Sequence, residues 1–325
     1  MSAVVTSLPI LVLDVHSRCN CRCVMCDIWK RDTVREIHPD DLARQLPAIE
    51  KLRVQWVVLT GGEPLMHSQL FALCAPLRKL GIRITLLTTG LLLSRFAEDV
   101  AREINDVIVS LDGPPAIHDR IRRVPNAFQH VRDGIRAVRA IDPKFPVSAR
   151  STVQRANAFH LMETVSAARD LGCNSISFLA ADIHSSAFNR SEEVSSETSQ
   201  CLLLREDELD RLDSEVEKLI LSGECGGFVA ESPHKMRRIV DHFRWYLGIG
   251  DPIAPMCNAP WVSAVMNADG AVQPCFFHRP IGHTGSHMPL DAVLNGPEAL
   301  AFRGSLRVAE NETCRKCVCS LNWGG

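Results

Sequence analysis

Ile10-Leu11-Val12-Leu13 is followed, five residues on, by Cys19-Asn20-Cys21-Arg22-Cys23-Val24-Met25-Cys26. The apolar run reads as a buried strand. Cys19, Cys23 and Cys26 are spaced C-x3-C-x2-C. Three thiolates on one tight loop can hold three corners of a four-iron cluster and leave the fourth iron open. Cys21 falls outside that spacing. The competing reading is a zinc knuckle or a buried cysteine cluster. Zinc, however, prefers four ligands, commonly in two separated pairs.

Five further apolar runs follow, at 56–59, 82–88, 107–111, 147–153 and 176–179. Helical patterns lie between them. His38-Pro39-Asp40-Asp41 reads as a helix start, with Leu42, Leu46 and Ile49 inward and Pro47 a point of kinking. Ser68 is the expected cap of a helix carrying Leu70, Leu73, Leu77 and Leu80, which Gly81 ends. Residues 92–104 are helical in pattern. Phe128, Val131, Ile135 and Val138 mark another helix, and Asn157 caps one with Met162, Val165 and Leu171. Such alternation argues for parallel β/α units with right-handed crossovers. Periodicity does not separate an open sheet from a barrel. In either case the loops after the strands are where chemistry is expected. The cysteine loop, Gly61 and Asp112 all fall there.

Thr60-Gly61-Gly62-Glu63-Pro64 directly follows the second run. Two glycines let backbone approach a ligand closely, and Glu63 adds a carboxylate. Together with the cysteine loop, this segment resembles the two signature motifs of radical S-adenosylmethionine (SAM) enzymes. In that family the open iron chelates the amino and carboxylate groups of SAM. The resemblance implies an α/β fold, a partial (β/α)6 TIM-like barrel. It implies that Gly61, Gly62 and Glu63 receive the SAM amino group. It also implies that Ser110 and Asp112, in Ser110-Leu111-Asp112-Gly113, face the ribose. Arg150 on the fifth run suits the SAM carboxylate, since a guanidinium matches that geometry. Thr88-Thr89-Gly90 ends the third run. Where the family has an aromatic residue before the last cysteine, this chain has Met25, which can pack on a ring.

The chain has 13 cysteines. Cys257 precedes Asn267-Ala268-Asp269-Gly270, a good hairpin turn, and then Cys275. A hairpin there brings Cys275 back toward Cys257. Cys314-Arg315-Lys316-Cys317 adds a C-x2-C pair, with Cys319 close behind. Spacing alone leaves zinc and iron–sulfur open. Beside a radical SAM core, C-x12-G-x4-C…C-x2-C resembles the auxiliary-cluster domains called SPASM and twitch. The cysteine count suits the shorter twitch form, with one auxiliary iron–sulfur cluster on Cys257, Cys275, Cys314 and Cys317, or with Cys319 replacing one of them. The expected division is a core at 1–181, a linker and helical connection at 182–250, and a small cysteine-rich domain at 251–325. Residues 182–200 are rich in Ser, Glu and Asn, as a solvated loop or lid would be. Leu209, Leu212, Val216 and Leu219 mark a helix, and a second is expected at 236–246.

A net charge of -2 gives no electrostatic reason to expect nucleic acid or membrane as a partner. No apolar run is long enough to span a bilayer, and no secretory signal is visible. So many cysteines point to metal ligands in a reducing, cytoplasmic setting. The resemblance implies an enzyme that cleaves SAM reductively to a 5′-deoxyadenosyl radical and abstracts hydrogen from an unactivated C–H bond. It would take electrons from a low-potential donor such as flavodoxin or ferredoxin. The first strand begins near Leu8, which leaves no room for a domain that grips a leader peptide. A small-molecule substrate is therefore expected, and oxidation is the favoured outcome. Epimerisation and peptide maturation are the alternatives, with Cys225 in Gly223-Glu224-Cys225-Gly226-Gly227 as hydrogen donor for the former. A non-catalytic iron–sulfur carrier or sensor would need the cysteines but not Gly61-Gly62-Glu63.

Overall fold

The computed structural model describes residues 2–190, 200–285 and 288–324. The stretch 191–199, about half of the expected Ser/Glu-rich loop at 182–200, lies outside them. All six expected strands form, as β1 (Ile10–His16), β2 (Trp56–Gly61), β3 (Arg83–Thr88), β4 (Asp106–Ser110), β5 (Val147–Val153) and β6 (Ser175–Ala180). They pair in sequence order and all in parallel. The helices α1 (Pro39–Lys51), α2 (Leu70–Lys79), α3 (Ala97–Glu103), α4 (Pro115–Arg122), α5 (Ala127–Ile141) and α6 (Leu161–Asp170) cross over between them. The strands alternate with helices as a (β/α)6 unit. The sheet does not close on itself: β6 is one end, and β1 instead takes a new neighbour, so the barrel is partial.

That neighbour is β7 (Ser263–Asn267), parallel to β1 in the register Ile10 with Ser263 through Asp14 with Asn267. The expected turn at Asp269-Gly270 then forms, with Gly270 at φ +88°, and β8 (Ala271–Gln273) returns antiparallel to β7. A two-residue strand β9 (Gly282–His283) completes the nine-stranded sheet. Helices α7 (Leu209–Leu221) and α8 (Pro233–Tyr246) pack on each other below β6, with Leu212, Val216, Leu219 and Val240 fully buried. Removing such side chains from water stabilises the fold by about 1.5–3 kcal/mol each.

Several local expectations differ from the structure. Helix α2 starts after Gln69; the Ser68 hydroxyl instead reaches the Glu36 carboxylate, 2.5 Å away. Helix α3 starts only at Ala97. Asn157 caps no helix. Its side-chain amide donates to the carbonyls of Asp112 and Thr152, and its oxygen accepts from Gln154 N, tying the ends of β4 and β5 together. Pro47 is held inside α1, where His38 accepts from Asp40 N at the N-terminus.

His118 on α4 is fully buried, its Nδ1 accepting from Asp112 N at 3.1 Å and its Nε2 unpartnered. Burial, and secondly the Arg122 charge, pushes its pKa down to about 3. Burial likewise pushes His242 down to about 4. In the unfolded chain both titrate near the ordinary histidine value of 6.5. The unfolded state therefore binds more protons below that pH, and stability falls as pH drops, by up to about 1.4 kcal/mol per unit for each histidine. Thermal unfolding followed by circular dichroism should show Tm falling from pH 6.5 toward about 4, with a shallower slope in His118→Gln. A Tm unchanged over that interval would contradict the assignment.

Candidate active site

The C-terminal ends of β1–β6 surround a cavity of about 190 Å3. The loop after β1 contributes Cys19, Cys23, Met25 and Cys26. The β2 end contributes Thr60, Gly61 and Gly62, β4 contributes Ser110, and β5 contributes Arg150 and Thr152. Each sits there for a local reason. A parallel strand delivers its last residues to one rim, and the crossover helix begins beyond it.

The two sequence motifs touch directly. Gly62 N donates to His16 O at 2.7 Å, and Glu63 N to Arg18 O at 2.8 Å. Gly61 has φ +139°, a conformation that L side chains rarely adopt. A Cβ on Gly62 would lie 2.0 Å from Arg18 O. The glycines thus let the β2 loop buttress the cysteine loop backbone to backbone.

Glu63 and Asp112 do not line the cavity. Glu63 is fully buried and accepts from Thr88 Oγ1 at 2.7 Å, Thr89 N at 2.6 Å and Leu65 N at 3.1 Å. Burial raises its pKa, against the pull of those donors. Asp112 is also fully buried, accepting from Thr152 N at 2.9 Å and pairing with Arg122 at 2.7 Å. Both carboxylates fasten strand ends to one another.

Four contributors were not singled out individually in the sequence. Arg122, at the end of α4, lies in the cavity wall and donates to Cys23 Sγ at 3.6 Å. Asp182, Phe188 and Arg190 come from the loop after β6. Arg190 is buried, donates to the carbonyl of Met25 and stands 3.9 Å from Asp182. It follows Phe188 and Asn189, two non-glycine residues with φ +61°.

The thiols differ. Cys21 is buried outside the cavity, and hydrogen bonding to Cys19 and Cys23, with burial, raises its pKa. Hydrogen bonding from Cys21 lowers Cys23 to about 7, helped by the Arg122 charge. Burial pushes Cys26 up to about 12. All three cavity thiols are free of disulfides. Two buried donors on residues lining the cavity lack a hydrogen-bond partner, Arg122 Nε and Arg190 Nη1. An unmet buried donor is costly, so both are suited to a ligand in the cavity. Soft thiol donors beside polar handles fit an iron–sulfur cluster with SAM.

The C-terminal cysteines also gather. The charges of Cys257 and Cys314 bear on Cys275, and those of Cys319, Cys275 and Cys257 on Cys317. Burial pushes Cys275 to about 12 and Cys314 to about 11. His278 Nε2 lies 3.4 Å from Cys314 Sγ. Five unpaired thiols are a sulfur-rich donor set suited to a cluster or to zinc. Among the described residues no three His, Cys, Asp or Glu side chains are gathered around a single-ion site. Arg150 borders both the main cavity and a second one lined by Cys317 and Cys319. Asp182 borders both the main cavity and a third, which also reaches Cys317.

Cys225 is elsewhere. It bridges to Val229, which bridges to Ile176 near the start of β6, the opposite rim from the cavity. The glycine-rich segment expected to reach the site is instead pinned along β6, so the structure gives Cys225 no route to a substrate in the cavity.

Residues 14–155 match the radical SAM superfamily, and residues 257–318 match SPASM, an iron-sulfur cluster-binding domain. An AdoMet-dependent heme synthase of Methanosarcina barkeri is 28% identical over 53% of this chain and 50% of its own length. The chain spans half the length or less of the curated relatives it matches first. A PqqA peptide cyclase of Ruegeria pomeroyi is 25% identical over 98% of this chain and 82% of its own. Streptococcus suis SuiB bound to S-adenosylmethionine shares the fold, with TM-score 0.68 at 16% identity over 98% of this chain and 74% of that one. No helix among the described residues is long and apolar enough to cross a membrane.

Proposed function

The chain belongs to the radical SAM superfamily, with a C-terminal SPASM domain and the cofactors of both, and on that premise we propose that it oxidises a small molecule at an unactivated C–H bond. When bound, the cofactors supply a 5′-deoxyadenosyl radical to take one hydrogen atom and an auxiliary cluster to accept the remaining electron. Cys19, Cys23 and Cys26 hold the catalytic cluster. Gly61 and Gly62 offer backbone to the SAM amino group, Ser110 faces the ribose, and Arg150 pairs with the carboxylate. Glu63 and Asp112 serve this site from behind, by fixing the strand ends that carry those residues. Cys257, Cys275, Cys314 and Cys317 hold the auxiliary cluster, with Cys319 adjacent.

The observation that carries oxidation is the position of Arg150, in the wall of both the main cavity and the one reaching Cys317 and Cys319. A substrate beside Arg150 would have an electron acceptor close by. We place the protein in the cytoplasm with a flavodoxin- or ferredoxin-type donor, since all 13 of its cysteines are free thiols. Peptide modification is the second reading, favoured by the similarity to a peptide cyclase over nearly the whole chain.

Anaerobically reconstituted protein given dithionite and SAM should form 5′-deoxyadenosine. Intact clusters without that product would mean a carrier or sensor. With a substrate in hand, the product should be lighter by two hydrogens. An unchanged mass with one solvent deuterium incorporated would mean epimerisation instead.

A further inference from the structure

We propose that His278 donates a hydrogen bond from Nε2–H to the cluster-bound thiolate of Cys314 and thereby raises the reduction potential of the auxiliary cluster. The inference rests on the reading that Cys314 ligates that cluster. The ring nitrogen stands 3.4 Å from Cys314 Sγ, within hydrogen-bond reach of a sulfur acceptor. A thiolate bound to iron has no proton to give, so the proton in this contact must sit on the ring. Its tautomer is then fixed by its neighbour.

The surroundings hold the ring in that pose. His278 follows Cys275 by one turn, and its carbonyl accepts from Gln273 Nε2 at 2.9 Å. Gln273 in turn accepts from Asn267 Nδ2 at 3.1 Å, which ties the contact to the β7–β8 hairpin. On the other side the ring meets Phe302 edge to face, centroids 4.9 Å apart at 67°. Phe302 belongs to α9 (Pro297–Ser305). The backbone of His278 is thus tied to the hairpin and its ring rests on α9, with one nitrogen aimed at sulfur. Hydrogen bonds to cluster sulfurs are among the factors that set cluster potential. Donation offsets the negative charge that grows on reduction, so its direction is upward. A higher potential makes the auxiliary cluster a better acceptor for the substrate electron.

The test uses the full chain carrying Cys19→Ala, Cys23→Ala and Cys26→Ala, so that only the auxiliary cluster remains. His278→Phe keeps a ring against Phe302 and removes the donor, whereas His278→Gln keeps a donor. Iron and sulfide content are measured beside a redox titration read by electron paramagnetic resonance. The expected result is unchanged iron in both variants and a more negative midpoint in the Phe variant, with Gln lying between it and the parent. An equal midpoint at full iron content overturns the hydrogen bond alone. Iron lost from both variants would make His278 a ligand and overturn the proposal. Zinc or no metal in the parent overturns it together with the auxiliary-cluster assignment.

Discussion

Cys19→Ala, Cys23→Ala and Cys26→Ala should each abolish 5′-deoxyadenosine formation, whereas Cys21→Ala should retain it. The three line the cavity and Cys21 does not. Cys21 is 2% exposed, and hydrogen bonding to its neighbours and burial keep it a neutral thiol. Cys21 N also donates to Cys19 Sγ at 3.5 Å, a backbone contact that alanine preserves. Three iron corners cannot be held by two thiolates and a methyl group, so the loss in the first three variants should be complete. Chromatography of the nucleoside product and the spectrum of the reduced cluster provide the readout. A Cys21→Ala protein with neither product nor cluster would reassign the ligands.

Gly62→Ala should disable the same cluster without touching a thiol. Its new Cβ would lie 2.0 Å from Arg18 O, 2.3 Å from Arg18 C and 2.9 Å from Cys19 N. These are backbone atoms, so no side-chain rotation relieves the overlap. Overpacking of this kind costs about 1–3 kcal/mol, and more where the neighbour cannot yield. The loop before Cys19 must move, and Cys19 with it. Iron per chain should fall by the content of one cubane, about four, and Tm should drop. Gly304→Ala is the matched control. Nothing lies within 4 Å of its Cβ position, so it should be neutral or stabilising by about 0.4–1 kcal/mol. Full iron content in Gly62→Ala would show that the two loops are not mechanically joined.

The parts of the site that are local in sequence were legible there. C-x3-C-x2-C and the Gly61-Gly62 turn depend on residues a few positions apart, and strand periodicity places both on one rim. The direction of a side chain was harder to read. Glu63 and Asp112 are polar residues at strand ends, and their sequence context does not say whether they face the cavity or the next strand. They turn inward because Thr88, Thr89 and Thr152 offer donors there. Arg122 escaped because α4 begins at Pro114-Pro115, which reads as a turn although Pro suits a first helical position. Arg190 escaped because its partner Met25 is 165 residues away. Cys225 looked mobile among glycines, and the Val229–Ile176 bridge that holds its segment along β6 is a tertiary contact with no local signature.

The pairing of β1 with β7 has a consequence for biosynthesis. Ile10 leaves the ribosome about 250 residues ahead of its partner Ser263. At about 5–20 residues per second, one edge of β1 waits roughly 12–50 s for its neighbour. The bare edge belongs to the strand leading into the cysteine loop. An unpaired, apolar edge invites association with other chains. The nascent protein therefore passes through an interval in which the first cysteine loop is complete and its sheet edge is open. A slow stretch of translation before Ser263 would lengthen that vulnerability, and a chaperone that covers strand edges would shorten it.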